Sequence, residues 1–445
     1  MWWWLEGNTA SLEPSTSCLA AMQVYFDPLT LLSCVILMNL MKRADDMQYQ
    51  RPILSEILRR LDEPRKFIQV IAGPRQVGKT TIAVELQKRL NSLAIYHTAD
   101  DTPVNNPVWI DQIWDSLRVR MKVEKIGSAV LILDEMQKIN DWSAVVKKHW
   151  DRDTRENCDI KLVLLGSSRL LIMDGLSESL MGRYELNYAG HWSLAEMEHA
   201  FGFTPEQYQW FGGYPGAATL VGDEMRFKEY IRDAIIEPTM IRDILMTSKV
   251  DKPALLRQLL EVGIGYSTQI MSYNRILGQL QDAGNTTTLA RYLKLLDQSG
   301  LLGGLNKHSG RLIETKGSIP KFQVHNNALL SALSIDTFQK ALIDRRAWGN
   351  VFESSVGSHL IDQVNKVPNA KLHYWRENGS EVDYVLTYGS EAIGIEVKSG
   401  DEGLSEKASR KFKENFPSAK LILVGKHGIP YESFMRTGIR ELFAE

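Results

Sequence analysis

The run Gly73-Pro74-Arg75-Gln76-Val77-Gly78-Lys79-Thr80-Thr81 constrains this chain more than any other stretch. It fits G-x-x-x-x-G-K-[ST], a loop whose backbone N–H groups turn inward onto phosphate oxygens at the start of a helix. The glycines permit the turn, Lys79 suits the β- and γ-phosphates, and the Thr80 hydroxyl suits Mg²⁺. The apolar run from Lys66 to Ala72 predicts a buried strand before the loop, and Thr81 to Leu90 has helical spacing after it. Strand, glycine loop and helix stand in the order a phosphate cradle requires. The whole run from Gly73 to Thr81 is therefore assigned to a nucleoside triphosphate.

A second signal supports the first. Ser128 to Glu135 is an apolar strand that ends in two acids. A carboxylate at such a strand end can hold Mg²⁺, and its neighbour can orient the attacking water. Asp134 is assigned to the metal and Glu135 to the water. A further strand, Ile160 to Leu165, runs into Gly166-Ser167-Ser168-Arg169. There Ser168 either senses the γ-phosphate or caps the helix that follows. Arg183, just ahead of a strand from Tyr184 to Ala189, is a candidate arginine finger, within the chain or across a subunit interface. Ser193-Leu194-Ala195-Glu196 has capping-box spacing and predicts a helix start. Strands alternating with helices imply an α/β fold with a parallel sheet. No guanine-reading N-K-x-D follows the core, so ATP is the expected nucleotide.

Composition narrows the class. With 44% hydrophobic and 24% charged residues over 445 positions, the chain is globular, and its length suits about three domains. A net charge of −2 excludes a globally basic nucleic-acid binder but not a local basic face. Cys18, Cys34 and Cys158 are too few and scattered for a disulfide framework or a zinc site, so a reducing cytoplasm is the simplest reading. Residues 1–46 fit neither a spanning helix, which needs about 20 apolar residues, nor a signal peptide with a basic start. They read as an N-terminal extension carrying no fold information, and no membrane association is expected.

Taken together, Gly73 to Thr81, Asp134-Glu135-Met136-Gln137, Gly166-Ser167-Ser168, Leu180-Met181-Gly182-Arg183 and Gly212-Gly213-Tyr214-Pro215 have a familiar order. The chain from residue 47 onward resembles the AAA-type ATP-binding proteins of bacteria and archaea that carry a C-terminal domain of unknown function. The resemblance implies a P-loop AAA-like ATPase core (47–200), a helical lid or linker (201–250), a winged helix (251–318) and a nuclease-like C-terminal α/β domain (319–445). It also implies ATP binding and hydrolysis.

The residues of the later segments agree with that division. Glu224 to Met246 is helical in period. Pro253 to Val262, Asn274 to Asp282 and Thr286 to Asp297 predict three helices, and Leu301 to Leu305 the start of a hairpin. Helix, turn, helix, hairpin describes a winged helix, with Thr286, Thr287, Thr288 and Arg291 at the groove-entering end. Such an element either contacts DNA or packs on the ATPase core.

The last segment contains the strands Lys371 to Arg376, Glu381 to Leu386 and Ala392 to Lys398, with a turn at Gly389-Ser390. Asp383, Glu396 and Lys398 form the D…E-x-K pattern of restriction-endonuclease-like nucleases, and Glu353 matches their extra helical acid. In that pattern Asp383 and Glu396 hold a divalent ion while Lys398 assists catalysis. The competing reading is an ion-pair cluster on a scaffold that does not cut. Two functions follow: a Mg²⁺-dependent ATPase coupled to nucleic-acid binding or cleavage, or a regulatory NTPase that acts on a protein partner.

Overall fold

The computed structural model describes residues 49–101, 106–166, 176, 179–280, 285–309 and 318–444. Its first half is built on five strands: β1 (Ile68–Ala72), β2 (Leu93–Thr98), β3 (Ser128–Asp134), β4 (Asp159–Gly166) and β5 (Tyr184–Tyr188). They lie in the order β2-β3-β4-β1-β5, every pair parallel. Parallel strands need helices on both faces, which is why β1, β3 and β4 are nearly continuous apolar runs. On one face, α1 (Pro52–Asp62) and α2 (Lys79–Arg89) pack Leu54, Ile57, Ile82 and Leu86 on Ile71, Ile132 and Val163. On the other, α3 (Val108–Glu124) and α4 (Trp142–Glu156) pack Trp114, Leu117, Val146 and Trp150 on Val70, Leu131 and Leu162. The C-terminal ends of all five strands point to one edge, the edge where open α/β sheets bind ligands.

After β5 the chain turns helical: α5 (Leu194–Phe201), α6 (Pro205–Phe211) and α7 (Glu224–Tyr230). The Ser193 capping box is formed in full, with both reciprocal hydrogen bonds. The helix expected from Glu224 to Met246 is continuous, but its later turns, Ile231–Ile236 and Thr239–Leu245, are wide π turns around Pro238. Next come α8 (Pro253–Gly265), α9 (Tyr273–Leu277) and α10 (Thr286–Gln298), then β6 (Leu302–Lys307) and β7 (Lys321–Val324), which pair antiparallel. Three helices, α11 (Asn327–Leu333), α12 (Phe338–Ile343) and the long α13 (Arg345–Lys366), lead to β8 (Ala370–Glu377), β9 (Ser380–Tyr388) and β10 (Glu391–Lys398). The chain closes with α14 (Glu406–Asn415), β11 (Lys420–Gly425) and two short helices.

The second sheet has the order β11-β10-β9-β8-β6-β7. Its β6–β8 contact is parallel, through Asn306↔His373 and Lys307↔Tyr374. The boundary expected at residue 318 therefore falls inside one sheet, and one hydrophobic core runs from Leu194 to Phe443. A short β7 carries too little apolar surface to mark a domain edge by itself. It is stable because α13 and β6 flank it.

The two cores meet at a polar junction. His191, just past β5, lies 3.1 Å from Asn326 Nδ2, and Asn326 Oδ1 accepts from Gly213 N and Ala328 N. Asn327 Nδ2 donates to Gln209 O and Val351 O, so two adjacent asparagines tie α6, α11 and α13 together. Burial depresses the imidazole of His191 to about 3 and that of His359 to about 4. An unfolded histidine titrates near ~6.5, so the unfolded chain takes up these protons first as pH falls. The stability tied to the neutral rings is complete above about pH 6.5 and is lost as pH falls towards the depressed values. The slope is at most ~1.4 kcal/mol per pH unit for each histidine. Urea midpoints at pH 7 and pH 5 should therefore differ less in a His191→Asn/His359→Asn variant than in the wild type.

Candidate functional site

The phosphate loop leaves the end of β1 and enters α2, with Gly78 at φ 87° and Gln76 at φ 59°. Gly73 has no room for a side chain, because a Cβ there would come 1.9 Å from the Ala189 carbonyl beyond β5. Lys79 is buried and donates to Gly73 O at 2.9 Å and Pro74 O at 2.5 Å. Burial lowers its pKa to about 8, against the pull of Glu135 and Asp134. Its hydrogen bonds among the described residues go to neutral carbonyls, so its charge is available to an anion.

Asp134 ends β3 at the same edge. Its Oδ2 accepts from Thr80 Oγ1 and from Tyr96 OH, both at 2.9 Å, and its Oδ1 accepts from the Glu135 amide at 2.8 Å. Burial, with the Asp134 carboxylate second, pushes the Tyr96 hydroxyl above its ordinary range. Glu135 leaves the strand in the left-handed region, φ 55°, which turns its carboxylate back towards the loop. Gln137 Nε2 holds Glu135 Oε2 at 2.8 Å. Burial and the adjacent Asp134 raise the Glu135 pKa, partly opposed by Arg75 and Lys79. An all-oxygen donor set beside an ammonium held on neutral carbonyls fits Mg²⁺ with a polyphosphate. Thr80, Asp134 and Glu135 are thus brought together as their spacing predicted.

Arg75 is a contact that the motif alone does not reveal. Its guanidinium forks onto Asp243 of the π-helical segment with two bonds of 2.6 Å. The turn after α10 also rests on the loop, since a Cβ on Gly300 would lie 3.0 Å from Pro74 Cγ. Both the π-helical segment and the turn after α10 therefore lie against residues of the glycine-rich loop.

Two expectations at this site fare differently. Ser168 lies outside the described residues. Arg183 is described, and its position corrects the finger assignment within the chain. Its carbonyl accepts from Ile68 N, which puts it beside the first residue of β1, whereas the loop follows the last. At ordinary strand rise those ends are roughly 15 Å apart. The guanidinium instead pairs with Asp151 of α4 at 3.0 Å.

The C-terminal cluster is also assembled. β9 and β10 are antiparallel neighbours, and Val397 N donates to Asp383 Oδ2 at 2.8 Å. Lys398 Nζ stands 3.1 Å from Glu396 Oε2 and 3.7 Å from Asp383 Oδ2. Burial and Asp383 raise the pKa of Glu396, and burial raises that of Glu353 on α13. The member that sequence reading missed is Lys321, the first residue of β7. It is 0% exposed and donates to Glu353 Oε1 at 2.7 Å and to the Asp383 carbonyl at 2.9 Å. No nearby sequence signal marks it, because its partners lie 32 and 62 positions away. Among the described residues, no three His, Cys, Asp or Glu side chains are grouped as a metal site.

Comparison with known proteins gives the class. Residues 65–198 match the AAA domain, so this part of the chain is an AAA-type P-loop domain. Residues 203–340 match a domain of unknown function, DUF8612, and residues 348–436 match another, DUF4143. No curated protein matches the chain. Among solved structures it is similar to the Thermotoga maritima RuvB Holliday junction branch migration motor. The identity is 18% over 58% of this chain and 91% of that one, with a TM-score of 0.31. It is also similar to the Aeropyrum pernix ORC1 protein in complex with DNA, at 15% identity over 65% of this chain and 93% of that one, with a TM-score of 0.28. Among the described residues, no helix is long and apolar enough to cross a membrane.

The Arg75–Asp243 fork yields a direct test. Asp243→Ala leaves a largely buried guanidinium without its carboxylate, which costs about 2 kcal/mol, less than a fully buried pair because Arg75 keeps some solvent and Glu135. Thermal denaturation should show a lower Tm. An unchanged Tm would mean the fork does not fasten the π-helical segment to the loop.

Proposed function

We propose that this chain is a Mg²⁺-dependent ATPase whose nucleotide state is passed to a second half that binds nucleic acid. The observation that carries the ATPase reading is the Thr80–Asp134 contact of 2.9 Å, with Glu135 beside it and Lys79 on neutral carbonyls. Lys79 would bind the β- and γ-phosphates, and Thr80 and Asp134 would hold the ion. When bound, Mg²⁺ neutralises charge developing on the phosphate oxygens. Glu135, with a raised pKa, is suited to orient the attacking water and accept its proton. Gln137 fixes one of its oxygens and leaves the other for the water.

The nucleic-acid part rests on reading Pro253 to Val324 as a winged helix. The order α8, α9, α10 and the β6–β7 hairpin supports it, as does a single antiparallel bridge between Ile270 and Lys321 at the edge of that hairpin. α10 exposes Thr286, Thr287, Arg291 and Lys294, a polar face suited to phosphates and base edges. Thr288 is half-buried behind it and bonds the Asn285 cap. The contact of Gly300 with Pro74 gives this helix a mechanical link to the phosphate loop. In this reading Arg183 serves only across a homo-oligomer interface.

A second reading, a regulatory NTPase acting on a protein partner, is favoured by one observation. The C-terminal carboxylates are already matched by Lys321 and Lys398, as expected of a platform that does not cut.

Turnover assays separate the two. Lys79→Ala should abolish ATP binding, and unchanged affinity there would overturn the site assignment. Glu135→Gln should retain ATP while turnover falls about 100-fold or more. DNA should stimulate wild-type turnover; stimulation by a protein partner alone would select the second reading.

A further inference from the structure

In the nuclease-like pattern, a divalent ion sits among the acids that Asp383, Glu396 and Glu353 represent here. The structure puts an ammonium beside two of them, Glu353 and Asp383. Lys321 Nζ is 2.7 Å from Glu353 Oε1, 2.9 Å from the Asp383 carbonyl, 3.9 Å from Asp383 Oδ1 and 4.0 Å from Glu381 Oε1. It also lies 4.7 Å from the centre of the Tyr384 ring, whose face favours a cation. The side chain is wholly buried, so the position is not a surface lysine folded back by chance. Lysine has three donors and no acceptor; two reach oxygens here and the remainder faces Asp383 and Glu381.

We propose that Lys321 is a resident cation that takes the place of a divalent metal in the C-terminal cluster, making this half of the molecule a metal-independent platform. Asp383 shows how the exchange works. One carboxylate oxygen faces Lys321, and the other accepts from Val397 N and faces Lys398. One of its oxygens is thereby held by a hydrogen bond, and the other lies within ion-pair range of a buried ammonium. A magnesium ion needs oxygens at about 2.1 Å in a near-octahedral shell and keeps several waters. It would have to enter beside a buried positive charge and strip Glu353 from it. Leaving that ammonium buried without its carboxylate is strongly unfavourable.

The origin of the lysine adds meaning. Lys321 belongs to the segment that matches the first domain of unknown function, whereas Glu353, Asp383 and Glu396 belong to the segment that matches the second. One segment plugs the charge cluster of the other, so the two can be held together without an ion. The inference deepens the platform reading above and rests on it for its biological sense.

The test is Mn²⁺ titration by calorimetry on the full chain without nucleotide, in a Thr80→Ala background so that the phosphate loop contributes no metal. The Lys321 protein should show no saturable Mn²⁺ site. Lys321→Met removes the charge at similar volume, and should lower the Tm and create one Mn²⁺ site, roughly tenfold or more tighter than any residual binding. Added Mn²⁺ should restore part of the lost Tm, and Asp383→Asn should remove both effects. If Lys321→Met does not fold, Lys321→Arg and the parent protein decide: both metal-free supports the proposal. A saturable Mn²⁺ site in the parent, lost in Asp383→Asn, overturns it. So does a Lys321→Met protein of unchanged Tm that acquires no metal. ATP turnover is absent from these measurements, so a failed ATPase assignment would be seen separately.

Discussion

One main-chain carbonyl organises the first half of this protein. Val77 O, in the middle of the phosphate loop, accepts from Arg51 Nη1 at 3.2 Å and Trp192 Nε1 at 3.0 Å. Arg51 is in turn paired with Glu196 at 2.8 Å in a nearly dry setting. Glu196 also closes the capping box of α5. A glycine-rich loop has little side-chain packing to hold its shape, so its geometry has to be imposed from outside. Here it is imposed by the residue before α1 and by the segment that leads from the sheet into the second core. The phosphate loop is thus braced from Arg51 on one side and from Trp192 and Glu196, at the entry to the helical segment, on the other.

The lysines illustrate how the same side chain serves opposite purposes. Lys79 is buried against neutral carbonyls, its pKa is lowered, and its charge waits for an anion. Lys321 is equally buried but sits against a carboxylate, with two further carboxylates near it. Desolvation acts on both; the nearby anions decide whether each is held protonated and satisfied. In the proposed reading the first arrangement recruits an anion, whereas the second takes the place of a metal ion.

Contact between the halves runs through small numbers of specific groups. The Arg75–Asp243 fork ties the π-helical segment to the loop, and Gly300 sets the turn after α10 on Pro74. Asp243, which meets the loop, lies in the second π-helical stretch. Behind them, His191, Asn326 and Asn327 fasten β5 to α6, α11 and α13 through buried hydrogen bonds. Such polar contacts are costly to break one at a time, so the junction favours a single arrangement over a loose hinge.

What the sequence determined by itself was local. The phosphate loop, the strand ending at Asp134, the Ser193 capping box and the β8–β10 meander follow from periodicity and spacing, because strand burial and capping act over a few residues. Strand ends fell within one or two residues of the observed ones: Ile160 to Leu165 inside Asp159–Gly166, and Lys371 to Arg376 inside Ala370–Glu377. The approach of Asp383 to Glu396 was legible too, since a tight turn joins their strands. Only the tertiary structure decided the rest. It put Arg183 at the wrong edge for its own phosphate loop, because parallel strand order fixes which ends coincide. It joined β6 and β7 to the C-terminal sheet across an expected boundary. It also drove Lys321 among acids far away in sequence, where their charge balances the cost of its burial.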